Sequence, residues 1–165
     1  MISQAYDGGN RMLIGNRIIG IIINIICLIQ IAGIVIYLIV AWDSIPDQIP
    51  GHFNASGEVN RWDSKGTLFL LPGIALVMLI VMSVVERFPH LWNTGVRITE
   101  ENKFRVYAVL RGLLYSVKFI VVTMFVCLAI IQSLMQTLPM WFLPTFIAPL
   151  MITIILHIVL LVRAR

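Results

Sequence analysis

The chain has 165 residues, 59% of them hydrophobic and only 12% charged, with a formal net charge of +4. A soluble domain of this length has too much surface to hide so much apolar material, so a soluble globular fold is excluded and a bilayer is the expected solvent. The expected architecture is all-α: one membrane domain over residues 1–165, built as a four-transmembrane-helix bundle.

Met1 to Asn16 is polar and Gly-rich, and the apolar run after it is too long for the core of a signal peptide. The first predicted span covers residues 18–42, without a charge and long enough to cross about 30 Å of hydrocarbon. The second covers 66–85. Residues 119–162 are a single uncharged stretch, about twice what one crossing needs. Gln136-Thr137-Leu138-Pro139 interrupts it, which predicts a tight turn between spans at 113–135 and 141–162.

The basic residues fix the expected orientation. Arg11, Arg17, Arg87, Arg97, Lys103, Arg105, Arg111, Lys118, Arg163 and Arg165 share one side of an even-span topology, and Arg61 and Lys65 lie on the other. The positive-inside rule then places both termini in the cytoplasm and the segment 43–65 outside the cell membrane. Trp42, Trp92 and Trp141 fall at predicted span ends, where indole rings favour the interface. Cys27 and Cys127 fall inside spans and are expected to be packing residues.

The loop 43–65 is the most informative segment. Pro46 and Pro50 forbid a continuous helix, and Asn54-Ala55-Ser56-Gly57 has the chemistry of a turn. Ile49 to Phe53 and Glu58 to Trp62 are expected to flank that turn as a hairpin. A lone hairpin is marginal in water, so Phe53 and Trp62 are expected to seat it on the interface or the bundle. His52 is expected to bond to loop backbone. Asn54-Ala55-Ser56 is formally a glycosylation sequon, a pattern common by chance.

Pro46, Ile49, Pro50, His52, Phe53, Gly57, Trp62 and Lys65 together resemble the pattern L-P-x-x-I-P-x-H-F-x-x-x-G-x-x-D-x-W-x-x-K. That pattern marks a membrane domain of unknown function found in the SdpI-like bacterial family, which includes an immunity protein against a secreted peptide toxin. Ile45 stands for the usual Leu and Asn60 for the usual Asp. Ile98-Thr99-Glu100-Glu101-Asn102 with Arg105 and Tyr107 is similar to small members of the same family. The resemblance implies a multi-pass membrane protein that senses, or confers immunity to, an extracellular peptide or envelope stress. Asn54 joins the residues of the pattern as a ligand-binding or loop-structuring candidate on physical grounds, because its side chain can supply donors and acceptors to the loop backbone.

Residues 86–112 form the expected cytoplasmic amphipathic segment. Thr99 is a good N-cap, with Glu100 and Glu101 in the first turn, and the helix is expected to continue into the third span. Lys103, Tyr107, Arg111, Tyr115 and Lys118 fall within about a third of its circumference. This basic-aromatic stripe is expected to anchor to lipid head groups, or to dock a cytoplasmic regulator.

Asn24, Gln30 and Thr123 are expected to hydrogen-bond between helices, and His157 to bond to another helix. The polar groups Asn24, Gln30 and His157 keep open a small transporter or transporter subunit, and His52 a membrane-surface enzyme. No catalytic fingerprint, cofactor motif or metal-ligand spacing is present, so no enzymatic activity, cofactor or metal is expected. Nucleic acid is not an expected partner, because the basic residues follow membrane topology. Oligomeric state is not fixed by the sequence.

Overall fold

The computed structural model describes residues 2–92 and 94–164, with side chains from Gly15 onward. Arg165 and the side chain of Arg11, both used above for orientation, lie outside the described residues. Four long helices carry the fold: α1 (Ile2–Val40), α2 (Leu70–Val85), α3 (Lys103–Ser133) and α4 (Phe142–Arg163). A two-stranded antiparallel hairpin, β1 (Gln48–Phe53) and β2 (Val59–Ser64), joins α1 to α2. The apolar, membrane-length parts are Gly15–Val40, Lys65–Val85, Lys103–Ser133 and Phe142–Arg163. A multi-pass membrane protein follows from these four helices.

The helix bounds differ from the sequence reading in instructive ways. α1 begins at Ile2, well before the apolar run, and no proline interrupts it. α2 proper has only 16 residues, about 24 Å of rise. A 3₁₀ turn over Lys65–Phe69 precedes it and completes the crossing. Pro72 sits in its first turn, where the missing N–H costs nothing.

α3 starts at Lys103, and Thr99 does not cap it. Asn102 orders the approach instead. It is buried, its Oδ1 accepts the Thr99 N–H at 2.8 Å, and its Nδ2 donates to the Arg97 carbonyl at 3.0 Å. The helix does run on unbroken into the membrane-length segment, as expected. It stops at Ser133, and Met135 takes a positive φ of 58° in the turn that Pro139 closes.

α3 is the central helix, and α1, α2 and α4 all pack on it. Cys27, Ile31, Ile34 and Leu38 form a stripe on α1 that meets Ala75 and Leu79 of α2 and Val122, Val126 and Ala129 of α3. These positions recur at three- and four-residue spacing, one face of each helix. The small residues Ala75 and Ala129 let the backbones approach, a device of helix packing in lipid. Outside the core the surface is apolar: Ile29, Ile36, Ile39, Val77 and Ile152 are all well exposed. Lys118, Gln132 and Ser133 are buried. Apolar outside with polar groups inside is the arrangement lipid imposes.

α1 and α3 run parallel and share polar contacts at three depths. Asn24 faces Lys118, Thr123 Oγ1 donates to Gln30 Oε1 at 3.1 Å, and Ser133 Oγ lies 3.5 Å from the Tyr37 hydroxyl. The Asn24, Gln30 and Thr123 contacts are the interhelical bonds expected of them. α4 is different, with Phe142 the one buried residue among its described side chains. His157 bonds to its own helix, Nδ1 donating to the Thr153 carbonyl at 2.8 Å, and not to a neighbour as expected. The i−4 carbonyl is the nearer acceptor, and the ring edge packs over Gly112 of α3.

Candidate functional site

Two polar regions stand at opposite ends of the bundle. The first is the hairpin. Its register pairs Gln48 with Ser64, Ile49 with Asp63, Pro50 with Trp62 and Phe53 with Val59, and it slips at His52, which pairs with Arg61. Asn54 builds the turn. Its Oδ1 accepts the N–H groups of Ser56 and Glu58, both at 2.9 Å, and its Nδ2 donates to Glu58 Oε2 at 2.9 Å. Gly57 takes a φ of +82°, the left-handed conformation that only glycine adopts freely.

Gly57 also joins the hairpin to the rest of the molecule. Its carbonyl accepts the Leu138 N–H at 2.8 Å, and a Cβ on Gly57 would run into the Leu138 carbonyl oxygen. The tip of the hairpin is thereby docked on the turn between α3 and α4. At the base, Lys65 Nζ sits 3.0 Å from Asp47 Oδ1 and 4.9 Å from the centre of the Trp42 ring. Trp42 in turn packs on Phe69, 5.6 Å between ring centres. Backbone adds a bond from Lys65 N–H to the Asp47 carbonyl at 2.9 Å.

Ile49 and Pro50 are buried, whereas Trp62 is 51% exposed and Phe53 is half-buried. Trp62 pairs with Pro50 across the strands. Pro46 is exposed in the bend before β1. His52 is exposed, and its Nδ1 lies 2.7 Å from Asn60 Oδ1, a side-chain partner where a backbone one was expected. Among the described residues, no three His, Cys, Asp or Glu side chains converge on a common point.

The second region lies at the other end of the bundle. Lys118 of α3 is fully buried. An ammonium has three N–H donors, and all three find acceptors here. They are the Glu86 carboxylate at the end of α2, Asn24 Oδ1 of α1 at 2.8 Å, and Ser83 Oγ of α2 at 3.1 Å. The Ser83 hydroxyl in turn donates a hydrogen bond to the Leu79 carbonyl at 2.6 Å. Glu86 is only 12% exposed. One cation and one anion are thus withdrawn together from solvent, with hydrogen bonds completing the pair.

The basic-aromatic stripe divides along its length. Lys103 pairs with Glu100, and Tyr107 packs edge-on to Trp92 at 6.2 Å. Arg111 and Tyr115 turn inward toward α1, where Tyr115 lies over Gly20 so closely that a Cβ there would meet its ring at 2.7 Å. Lys118 is fully buried and held by Glu86, Asn24 and Ser83. Sequence reasoning grouped the five by helical angle, which is correct, but that face meets α1 and α2 in its lower half. The signal was present: spans 1, 2 and 3 each carry polar residues, Asn24, Ser83 and Lys118, where lipid would tolerate none.

Residues 25–76 match a family described as a domain of unknown function, DUF1648. The matched stretch takes in most of the apolar part of α1, the hairpin and the start of α2. Over 74 residues the chain is 30% identical to an uncharacterized protein of Archaeoglobus fulgidus, a similarity covering 40% of this chain and 40% of that relative. No solved structure matches the chain.

Proposed function

We propose that the chain is a non-enzymatic, multi-pass protein of the cell membrane, of the SdpI-like type, that recognises an extracellular peptide through its hairpin. In this reading it senses that peptide, or an envelope stress, or confers immunity to it. Both termini are cytoplasmic, a reading that rests on the ten-to-two division of basic residues. The single observation that carries the proposal is the clamping of the hairpin at both ends, at Lys65 and at Gly57. A segment held this way presents a fixed surface, and fixed surfaces lose less entropy on binding.

The exposed strand is β2. It pairs only with β1 among the described residues, and Asn60, Arg61 and Trp62 all face solvent. An extended peptide can add to such an edge through main-chain hydrogen bonds, with Trp62 as an aromatic anchor. The tip contact at Leu138 offers a route from an occupied hairpin to α3 and α4. A cytoplasmic regulator would meet the segment 86–102, and the surrounding bilayer is the constant partner. The test is protection: cells expressing the chain are challenged with a panel of secreted membrane-active peptides, beside cells expressing Trp62→Ala. Protection by the wild-type chain that Trp62→Ala loses is expected. No protection against any peptide, or equal protection by the variant, overturns the reading.

A second reading, a small transporter or transporter subunit, is favoured by one observation: α1 and α3 share polar contacts at three depths. Apolar layers at Cys27, Ile31 and Val126 separate them, so a path would need the helices to part.

A further inference from the structure

A cavity of about 540 Å³ opens among α1, α2 and α3 at the end that carries Lys118. Its charged lining is Arg17 of α1, Glu86 and Arg87 at the end of α2, and Arg111 of α3. Glu86 is the one carboxylate in that lining, and Lys118 already holds it. Among the described residues no carboxylate pairs with Arg17, Arg87 or Arg111. Arg17, Arg87 and Arg111 therefore line one space, and among the described residues no carboxylate is left to balance them.

We propose that this cavity binds a phosphate-bearing anion. Guanidinium groups offer planar, two-pronged donors that match phosphate oxygens, and three from different helices surround one ligand rather than lie along a surface. Tyr115 adds a hydroxyl to the wall. The volume falls within the usual range for small-ligand sites. Arg17 directly precedes the uncharged run 18–42, and Arg87 lies two positions beyond the apolar segment that ends at Val85. Those are head-group depths. Ile21, 51% exposed, forms part of the rim and continues onto the lipid-facing side of α1. A phospholipid head group would enter from there with its acyl chains along α1, and a soluble phosphate from the open end. The site does not depend on the hairpin.

The test uses the full chain purified in neutral detergent. Binding of phosphatidylglycerol, phosphatidylcholine and inorganic phosphate is followed by native mass spectrometry and thermal unfolding. Phosphatidylglycerol is expected to bind and phosphatidylcholine not. Arg111→Gln and the exposed Arg87→Gln are each expected to weaken binding about fivefold, the equivalent of roughly 1 kcal/mol per charge. Arg105→Gln, exposed at the same end but outside the cavity, should leave it unchanged. Saturable stabilisation by phosphate that Arg87→Gln loses would support the site and name a soluble ligand. Equal retention of phosphatidylcholine, an equal loss in Arg105→Gln, or full binding by the Arg87→Gln/Arg111→Gln double variant would overturn it.

Discussion

The Oδ1 of Asn24 on α1 lies 2.8 Å from the Nζ of Lys118 on α3, at a level where both helices are otherwise apolar. With Glu86 and Ser83 it completes a closed set of acceptors around one buried ammonium. Such a pair is weak evidence for stability as a pair, yet strong evidence for what happens when one member is lost.

Glu86→Gln or Lys118→Ala should therefore lower stability in detergent by about 3 kcal/mol or more, because each strands the opposite charge. The charge-free combination Glu86→Leu with Lys118→Met should recover most of that loss. Thermal unfolding of the three variants decides it. A double variant no more stable than either single one would show that the ion pair is not what the cluster depends on.

Gly57→Ala tests the hairpin tip. A side chain there meets the Leu138 carbonyl oxygen and must also hold a φ of +82°. The conformational part alone costs roughly 1–2 kcal/mol. Faster hydrogen exchange at the Leu138 amide is expected, with no change along α1 or α3. Unchanged exchange at Leu138 would mean that the tip does not rest there in solution.

Lys65→Met and His52→Ala separate base from surface. Asp47 is 92% exposed, so its ion pair with Lys65 is a weak one. The contact with the Trp42 ring adds about 0.5–1 kcal/mol. Trypsin cleavage after the exposed Arg61 should quicken several-fold in Lys65→Met and less in His52→Ala, whose bond to Asn60 is solvent-exposed. Equal acceleration in both would locate the restraint in the strands and not at the base.

Orientation is checked by cysteine labelling. Ser56 is exposed at the hairpin tip, and Glu101 is exposed at the other end. Asn102, its neighbour, is buried and orders the approach to α3, so it is the poorer position. On intact cells an impermeant reagent should label a cysteine at 56 and spare one at 101. Labelling of both at equal rates would overturn the proposed topology.

The four helices were legible because a long uncharged run has few alternatives to spanning a bilayer. The hairpin was legible for another reason: two prolines and Asn54 to Gly57 constrain backbone locally, and local constraints can be read one residue at a time. Contacts between distant elements were not legible. Nothing in Gly57 signals Leu138, and nothing in Lys118 alone signals Glu86, 32 positions earlier. Lys118 near a span end fits a snorkelling residue and a buried one equally by depth. Only the direction of the helix face separates them, and packing sets that direction. Trp62 is exposed, which leaves the bilayer interface as the seat expected for it.

The joint between Gly57 and Leu138 also bears on how the molecule is assembled. The hairpin leaves the ribosome well before the α3–α4 turn, and a two-stranded hairpin by itself is marginal in water. In the proposed topology it waits, loosely formed, outside the membrane until α3 has been threaded through. The Leu138 amide then latches the tip, closing a contact between residues 81 positions apart in the chain. A translocation defect in α3 or α4 would then show itself first as an unlatched hairpin, open to proteases, on a chain whose first two helices are already in place.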